Sequence, residues 1–426
     1  MSTNKSNKPE LRFKGFSDDW EQRKFGEIAA TRRGLTYKPG DIVDGGKRVL
    51  RSSNINEDTF EICEDDVFVN EGAVNIPYVK NGDILITSAN GSSRLVGKHA
   101  IVRDIPENCV VHGGFMLLAS SDEPEFVNAL MSSQWYTRFI NVFVAGGNGA
   151  IGNLNKNDLD EQIVLVPSTK ERKKIGTYFS NLDNLITLHQ RKCDNLKIIK
   201  KSMLNNLFPK IGEKVPKWRF KGFNNDWEQR KLDSISEIKT GPFGSTLHAD
   251  DYVTDGIPII TTEHFKNGDL PTSKNGLPQV SDEDYKRLSS YVLNEGDIVF
   301  SRVGSVDINA LVMPSQRHWL FSGRVLRVRP DMTNDSQFLH TVLETETIKA
   351  DIRSRAVGQT MPSINTEILN ETLVMMPQLR AEQEQIGQFF YSLNKTITLH
   401  QYKNYTMFCV KIVFLLYFGN SVSSLK

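Results

Sequence analysis

The chain has 426 residues, with 52 Lys or Arg against 51 Asp or Glu, a formal net charge of +1 and 39% hydrophobic residues. That is the profile of a water-soluble globular protein of several domains, and it excludes a global basic field, so attraction to a polyanion has to come from local charge. The four cysteines (Cys63, Cys109, Cys193, Cys409) lie far apart and form no CxxC, which argues against a disulfide framework and a structural zinc.

The N-terminus, MSTNKSNKPE, is polar and carries no signal-peptide pattern, which predicts a cytoplasmic protein. From there the chain reads as one sentence written twice. RFKGFSDDWEQRKFGEIAAT (12–31) returns as RFKGFNNDWEQRKLDSISEI (219–238), and FSNLDNLITLHQ (179–190) returns as FYSLNKTITLHQ (390–401). The spacing is close to half the chain, far longer than a solenoid repeat. Two like halves in one chain can pack as an internal dimer about a pseudo-twofold axis.

After each Trp-containing opening comes a stretch rich in short β-like runs and Gly/Asn turns. NGDILIT (81–87) matches EGDIVFS (295–301), each a Gly-Asp turn running into an apolar strand. VHGGFMLLA (111–119) matches FSGRVLRVR (321–329). GNGAIGNLNKNDL (147–159) matches GQTMPSINTEIL (358–369), with Leu154-Asn155 on Ile364-Asn365. Between these pieces the halves diverge, as two variants of one recognition module would.

Each half closes on a long helical pattern. Ile175, Phe179, Leu182, Ile186, His189, Cys193, Leu196, Lys200, Met203 and Leu207 alternate by four and three, a heptad seam. Ile386, Phe390, Leu393, Ile397, His400, Asn404, Met407, Lys411, Phe414 and Phe418 repeat it, with His189 on His400 and Lys200 on Lys411. Each seam predicts a helix of roughly 50 Å. The natural partner of one is the other, and twofold symmetry makes the pair antiparallel. Pro209 and Pro216 in the linker end the first helix and open the second module. The apolar run from Thr406 to Phe418 contains Lys411 and is too short to span a bilayer.

Catalytic motifs are not found. GSSRLVGKH (91–99) has five residues between its glycines where a phosphate loop has four, and His99 stands where Ser or Thr would bind magnesium. No GxGxxG follows a strand, and there is no GxSxG, no HExxH and no Asn-Pro-Pro-aromatic tetrapeptide. No catalytic residue, metal or cofactor is expected.

Residues suited to nucleic acid are more suggestive. Arg32, Arg33, Arg48 and Arg51 lie among Gly and Pro turns. Ser88, Asn90, Arg94 and Lys98 follow a strand. The second half offers Lys239 and Ser245 in a polar turn, and Ser301, Arg302, Ser305 and Asn309 after the matching strand. Arg and Lys can grip guanine, Asn can grip adenine, and Ser and backbone amides hold phosphates. Singly, each is better explained as a solvated surface group. Between Lys170 and Lys210 ten Lys or Arg stand against Glu171, Asp183 and Asp194, a helix face that could lie along phosphates.

Tandem modules opened by WEQRKFGEI (20–28) and WEQRKL (227–232), with NGDILIT, GQTMPSIN and two ITLHQ helices, resemble the specificity subunit of type I restriction–modification enzymes over nearly the whole chain. The resemblance implies an α+β fold in which two pseudo-twofold-related, β-rich target recognition domains are separated by an antiparallel two-helix coiled coil. The expected divisions are 10–165 and 217–376 for the recognition domains, 168–208 and 378–418 for the spacer helices, and 209–216 for the linker. It also implies that each domain reads one half of a bipartite double-stranded DNA target, and that the helices fix the gap and dock two modification (methyltransferase) subunits, to which restriction subunits are added. S-adenosylmethionine would belong to the modification subunit, leaving this chain non-catalytic and off the membrane. A coiled-coil protein-interaction adaptor, or a fused methyltransferase–specificity enzyme, are the alternatives. The second helix departs from the family pattern: QYKNYTMFCVKIVFLLYFGN is apolar on nearly every face, which predicts an unusually buried or altered end.

Overall fold

The computed structural model describes residues 8–144, 152–242, 246–247 and 251–418. The chain divides into two compact units, residues 1–190 with 402–426 and residues 191–401. The division falls inside both long helices, Thr169–Asn206 and Arg380–Phe418. Each unit therefore holds one β-rich repeat, the beginning of the helix that follows it and the end of the other repeat's helix.

In the first unit the duplicated opening serves as an anchor. Trp20 is buried, Glu21–Lys24 pairs antiparallel with Ile163–Val166, and Phe25 is fully buried behind it. Arg12 donates through Nε and Nη2 to the two oxygens of Glu171, both at 2.8 Å, tying the opening to the first turn of the long helix. The central sheet is four-stranded and antiparallel, in the order Ala30–Arg33, Met116–Ser120, Ile84–Thr87, His99–Ile101. Its side chains alternate, as the period of two requires. Ile84, Ile86, Leu117 and Ala119 face the helices Pro124–Met131 and Gln134–Phe143 in the main core. Leu85, Ala100 and Leu118 face a second core with Leu50 and Val110. Those two residues sit on strands Ile42–Leu50 and Val110–His112, which run parallel in a three-stranded sheet completed by Val67–Val69.

The second unit repeats this plan. Trp227 is buried, Glu228–Lys231 pairs with Leu373–Met376, and Arg219 donates to both oxygens of Glu382 at 2.7 and 2.8 Å. Its sheet runs Ser236–Thr240, Val325–Pro330, Ile298–Ser301, Asn309–Leu311. Ile298, Phe300, Leu326 and Val328 face the main core, and Val299, Ala310 and Val325 the second.

The motifs shared by the repeats are framework. Gly82 and Gly296 sit at φ +95° and +87°, a region that favours glycine. The following Asp83 and Asp297 accept the peptide N–H of Lys80 and Asn294 at 2.8 and 2.7 Å, closing the turn. Asn155 and Asn365 cap short helices, and Leu154 and Ile364 before them are buried. Residues 147–151 of the motif matched to 358–369 lie outside the described residues.

Within each unit the helix segments run antiparallel. In the first, Tyr178 stacks on Phe414 with ring centroids 4.9 Å apart, and Asn404 donates to Gln190 at 2.8 Å. In the second, Phe208 packs on Phe390 at 6.0 Å. Nine seam positions of each helix are buried or half-buried; Phe418 side-chain burial lies outside the description, and Leu207 completes the first seam just past its helix end. The expectation of an unusually buried C-terminal end is corrected. Only the seam side of 402–417 is covered. Tyr402 and Tyr405 are 68% and 67% exposed, and Phe408, Ile412, Val413 and Leu416 are exposed with them. One helix face is filled by the partner segment, and no described element covers the rest.

Candidate nucleic-acid interface

In the first unit, turns at one end of the central sheet surround an open cleft of about 610 Å³, lined among others by Thr36, Tyr37, Arg51, Ser52, Asn90 and Phe115. Two expected contact residues, Arg51 and Asn90, are here, held by the loops themselves. The Arg51 peptide N–H donates to Asn54 Oδ1 at 2.7 Å and its guanidinium to the Asp65 carbonyl at 2.8 Å. Asn90 Nδ2 donates to Ser52 Oγ at 2.9 Å, while its Oδ1 accepts the Ser92 N–H at 2.9 Å. Arg94 is exposed on the next turn, Ser93–Leu95, and Arg33 is exposed at a strand end nearby. Lys98 is half-buried, 3.9 Å from Glu57.

Other expected residues are not brought to this surface. Arg32 points along the sheet to Asp83 at 3.2 Å and the Tyr78 carbonyl at 3.0 Å. Arg48 is bonded to the buried Asp66 at 2.5 Å, with its guanidinium over the Phe68 ring. Both are tethers between strands and loops, because a buried carboxylate needs a charged partner. Ser88, Ser301 and Asn309 are buried. The Ser301 hydroxyl donates to the Val303 carbonyl at 3.1 Å, and Asn309 Nδ2 lies 3.5 Å from the Leu343 carbonyl, inside the fold. These three cannot reach a duplex as the chain is folded.

In the second unit Lys239 is on a strand, not in a turn. Its ammonium donates to the Ser290 carbonyl at 3.0 Å and lies over the Tyr291 ring. Ser245 lies outside the described residues. Arg302 is half-buried and donates through Nε to the Ile364 carbonyl and through Nη1 to the Gly323 carbonyl, both at 3.2 Å. Ser305 is exposed. Around it stand exposed residues that charge and motif reading missed: Val357 and Met361 on the loop bridged by Val357 and Ser363, and Arg324 at a turn tip. Tyr37 and Phe115 were missed in the first unit. Residues with ordinary hydrophobic or isolated basic character give no signal until the turns that carry them are placed together.

Behind the first cleft, His112 is fully buried. Burial, with the nearby Arg32 guanidinium, pushes its imidazole down to about 4. It stays neutral at pH 7, so the cleft gains no cation from it. Cys63, Asp65 and Asp66 are the group among the described residues whose ligand atoms come close enough for a metal. Asp66 is already engaged by Arg48 and by Asn54 at 2.8 Å, and burial with the neighbouring carboxylates pushes the Cys63 thiol up.

The family model described as the type I restriction modification DNA specificity domain matches residues 17–197 and again 224–406. The specificity subunit of type I restriction enzyme MjaVIII from Methanocaldococcus jannaschii is 23% identical over 267 residues, which is 58% of this chain and 59% of that subunit. The match thus spans less than two thirds of that relative's length. The specificity subunit of type I restriction enzyme EcoKI from Escherichia coli K12 is 23% identical over 341 residues, 75% of this chain and 69% of that one. Among solved structures, the S subunit of a type I restriction–modification system from M. genitalium matches with a TM-score of 0.66 at 14% identity, over 98% of this chain and 100% of that one, a likeness of fold.

Proposed function

The chain belongs to the type I restriction modification DNA specificity domain family, and from that premise we propose that it is the DNA-reading subunit of a restriction–modification complex. Each repeat, 10–165 and 217–376, reads one half of a split double-stranded target. The helices, 168–208 and 378–418, form a coiled-coil spacer that sets the gap and docks two methyltransferase subunits, with restriction subunits joining through them. The chain contributes no catalytic group of its own, and the complex works in the cytoplasm. No described helix is long and apolar enough to cross a membrane.

One observation carries this reading: the repeats share their turns, caps and anchors residue for residue, yet expose unlike side chains at the ends of their matching sheets. In the first repeat Arg33, Arg94 and Phe115 are exposed, with Tyr37, Arg51 and Asn90 half-buried beside them; in the second, Ser305, Arg324, Val357 and Met361 are exposed. Arg and Asn supply base-edge contacts, and exposed loops on a rigid scaffold are where recognition is placed.

The test is a base-resolved methylome of cells carrying this subunit with its modification partner. A bipartite motif with a fixed gap is expected. Replacing residues 10–165 with those of a relative should change one half of that motif. A change in both halves, or in neither, overturns the assignment.

A further inference from the structure

The two central sheets can be matched strand by strand through their registers. Thr87 pairs with Met116 in the first, and Ser301 pairs with Val325 in the second. Thr87 and Ser301 end the shared Gly-Asp strands, so Met116 corresponds to Val325. The residues before them, Phe115 and Arg324, correspond as well. This moves the pairing by one from the match of 111–119 with 321–329 by sequence, which sets Gly114 on Arg324.

Both residues sit at the tip of a turn whose backbone is fixed on several sides. In the first unit the Phe115 carbonyl accepts from Ser88 N–H at 2.9 Å and Ala89 N–H at 3.1 Å, Met116 N–H donates to the Gly113 carbonyl at 2.9 Å, and Gly113 N–H donates to the Leu50 carbonyl at 2.9 Å. In the second the Arg324 carbonyl accepts from Arg302 N–H at 2.9 Å, Val325 N–H donates to the Ser322 carbonyl at 2.9 Å, and Ser322 N–H donates to the Ile260 carbonyl at 2.9 Å. A glycine just past the end of a strand passes close beneath each turn. A Cβ on Gly34 would stand 1.9 Å from the Gly113 oxygen, and one on Gly241 would stand 2.1 Å from the Ser322 oxygen. The two frames are the same construction, and only the outward group differs.

That group has no role in the fold. Phe115 is 74% exposed at the rim of the cleft. Arg324 is exposed and makes no side-chain hydrogen bond or ion pair among the described residues, whereas Arg302 beside it holds two carbonyls. A large apolar ring held in water on a rigid turn forgoes burial that the fold could otherwise use, which points to a partner that covers it.

Resting on the reading of the repeats as recognition domains, we propose that the turn-tip residue is a base-reading position common to both domains: Arg324 grips a guanine edge in the second half-site, and Phe115 packs on a thymine methyl group in the first. A guanidinium presents paired donors that match guanine O6 and N7 in the major groove. A phenyl ring offers no hydrogen bond and discriminates by apolar contact, for which the thymine methyl is the major-groove target.

The experiment uses the full subunit assembled with its methyltransferase partners and reads the methylated motif genome-wide for the unaltered chain, Arg324→Ala, Arg324→Lys and Phe115→Ala. Arg324→Ala should relax a G·C requirement at one position of one half-site by roughly tenfold or more, leaving the other half-site and the gap unchanged. Phe115→Ala should relax a T·A requirement in the other half-site alone. A motif unchanged by Arg324→Ala, or a uniform loss over all sequences that Arg324→Lys restores, marks a phosphate contact or none and overturns the proposal. If the unaltered complex methylates no split motif, the underlying assignment of recognition domains fails, an outcome distinct from a split motif that ignores these substitutions.

Discussion

Lys411, near the end of the second long helix, donates to Asp58 in the first repeat at 3.1 Å, across 353 residues of sequence. The same ammonium lies 2.9 Å from Asp183 on the first long helix. Burial alone would push the lysine down, but the two carboxylates outweigh it and hold it above its ordinary value. The second unit has a counterpart: Lys200, at the matching seam position, lies 2.9 Å from Glu344. The two lysines that interrupt the hydrophobic seam are thus each bonded to the repeat that does not precede their own helix.

Removing Lys411 leaves Asp183 half-buried without its cation. Lys411→Ala is expected to destabilise the first unit by about 2 kcal/mol, below the full cost of breaking a buried pair because both carboxylates keep solvent contact. Chemical denaturation followed by near-UV circular dichroism measures it, and Asp183→Asn in the same chain should recover part of the loss. Equal stability of the single variant and the unaltered chain would show the contact to be idle.

Glu382 accepts both arms of Arg219 and also the Trp227 indole N–H, at 3.3 Å. Glu382→Ala leaves the half-buried Arg219 guanidinium with the Asn225 carbonyl, at 2.7 Å, in place of its carboxylate. The expected cost is about 3–5 kcal/mol, read as an early unfolding transition confined to the second unit. Glu171→Ala should act likewise on the first unit through Arg12.

His112 gives the first unit a pH dependence of known sign. Its folded value of about 4 lies below the ordinary 6.5, so the unfolded chain binds a proton that the folded one refuses. Its contribution is complete above pH 6.5 and is lost as pH falls toward 4, about 3 kcal/mol at most. Phe321 stands at the matching strand position, so His112→Phe is a tolerable exchange. Its stability should fall less between pH 6.5 and 4 than that of the unaltered chain; parallel curves would refute the assignment.

If the helices space the half-sites, length should convert to gap. Seven residues added to each long helix advance it by about 10 Å at 1.5 Å per residue. That corresponds to about three base pairs at 3.4 Å each. The methylated motif of such a chain should keep both half-sites and widen between them. An unchanged gap would sink the spacer role.

The duplication, the strand frames and both helices were legible in the sequence because each rests on local rules: turn glycines, capping asparagines and seam spacing. Charge was a poorer guide. Arg32 and Arg48 looked like Arg51 in the sequence, yet Asp83 and Asp66 claim them. Asn309 looked like an adenine-reading residue and is interior. Phe115 carried no signal in the sequence and is the most exposed aromatic of the first cleft.

By itself the sequence determined the repeated architecture and the family, since periodicity and turn chemistry act between near neighbours. Only the tertiary structure decided which arginines are tethers and which face solvent, which carboxylates hold Lys200 and Lys411, and which residue stands at each turn tip. Those outcomes depend on partners brought together from distant parts of the chain, and a side chain's free energy is set by the groups that surround it after folding.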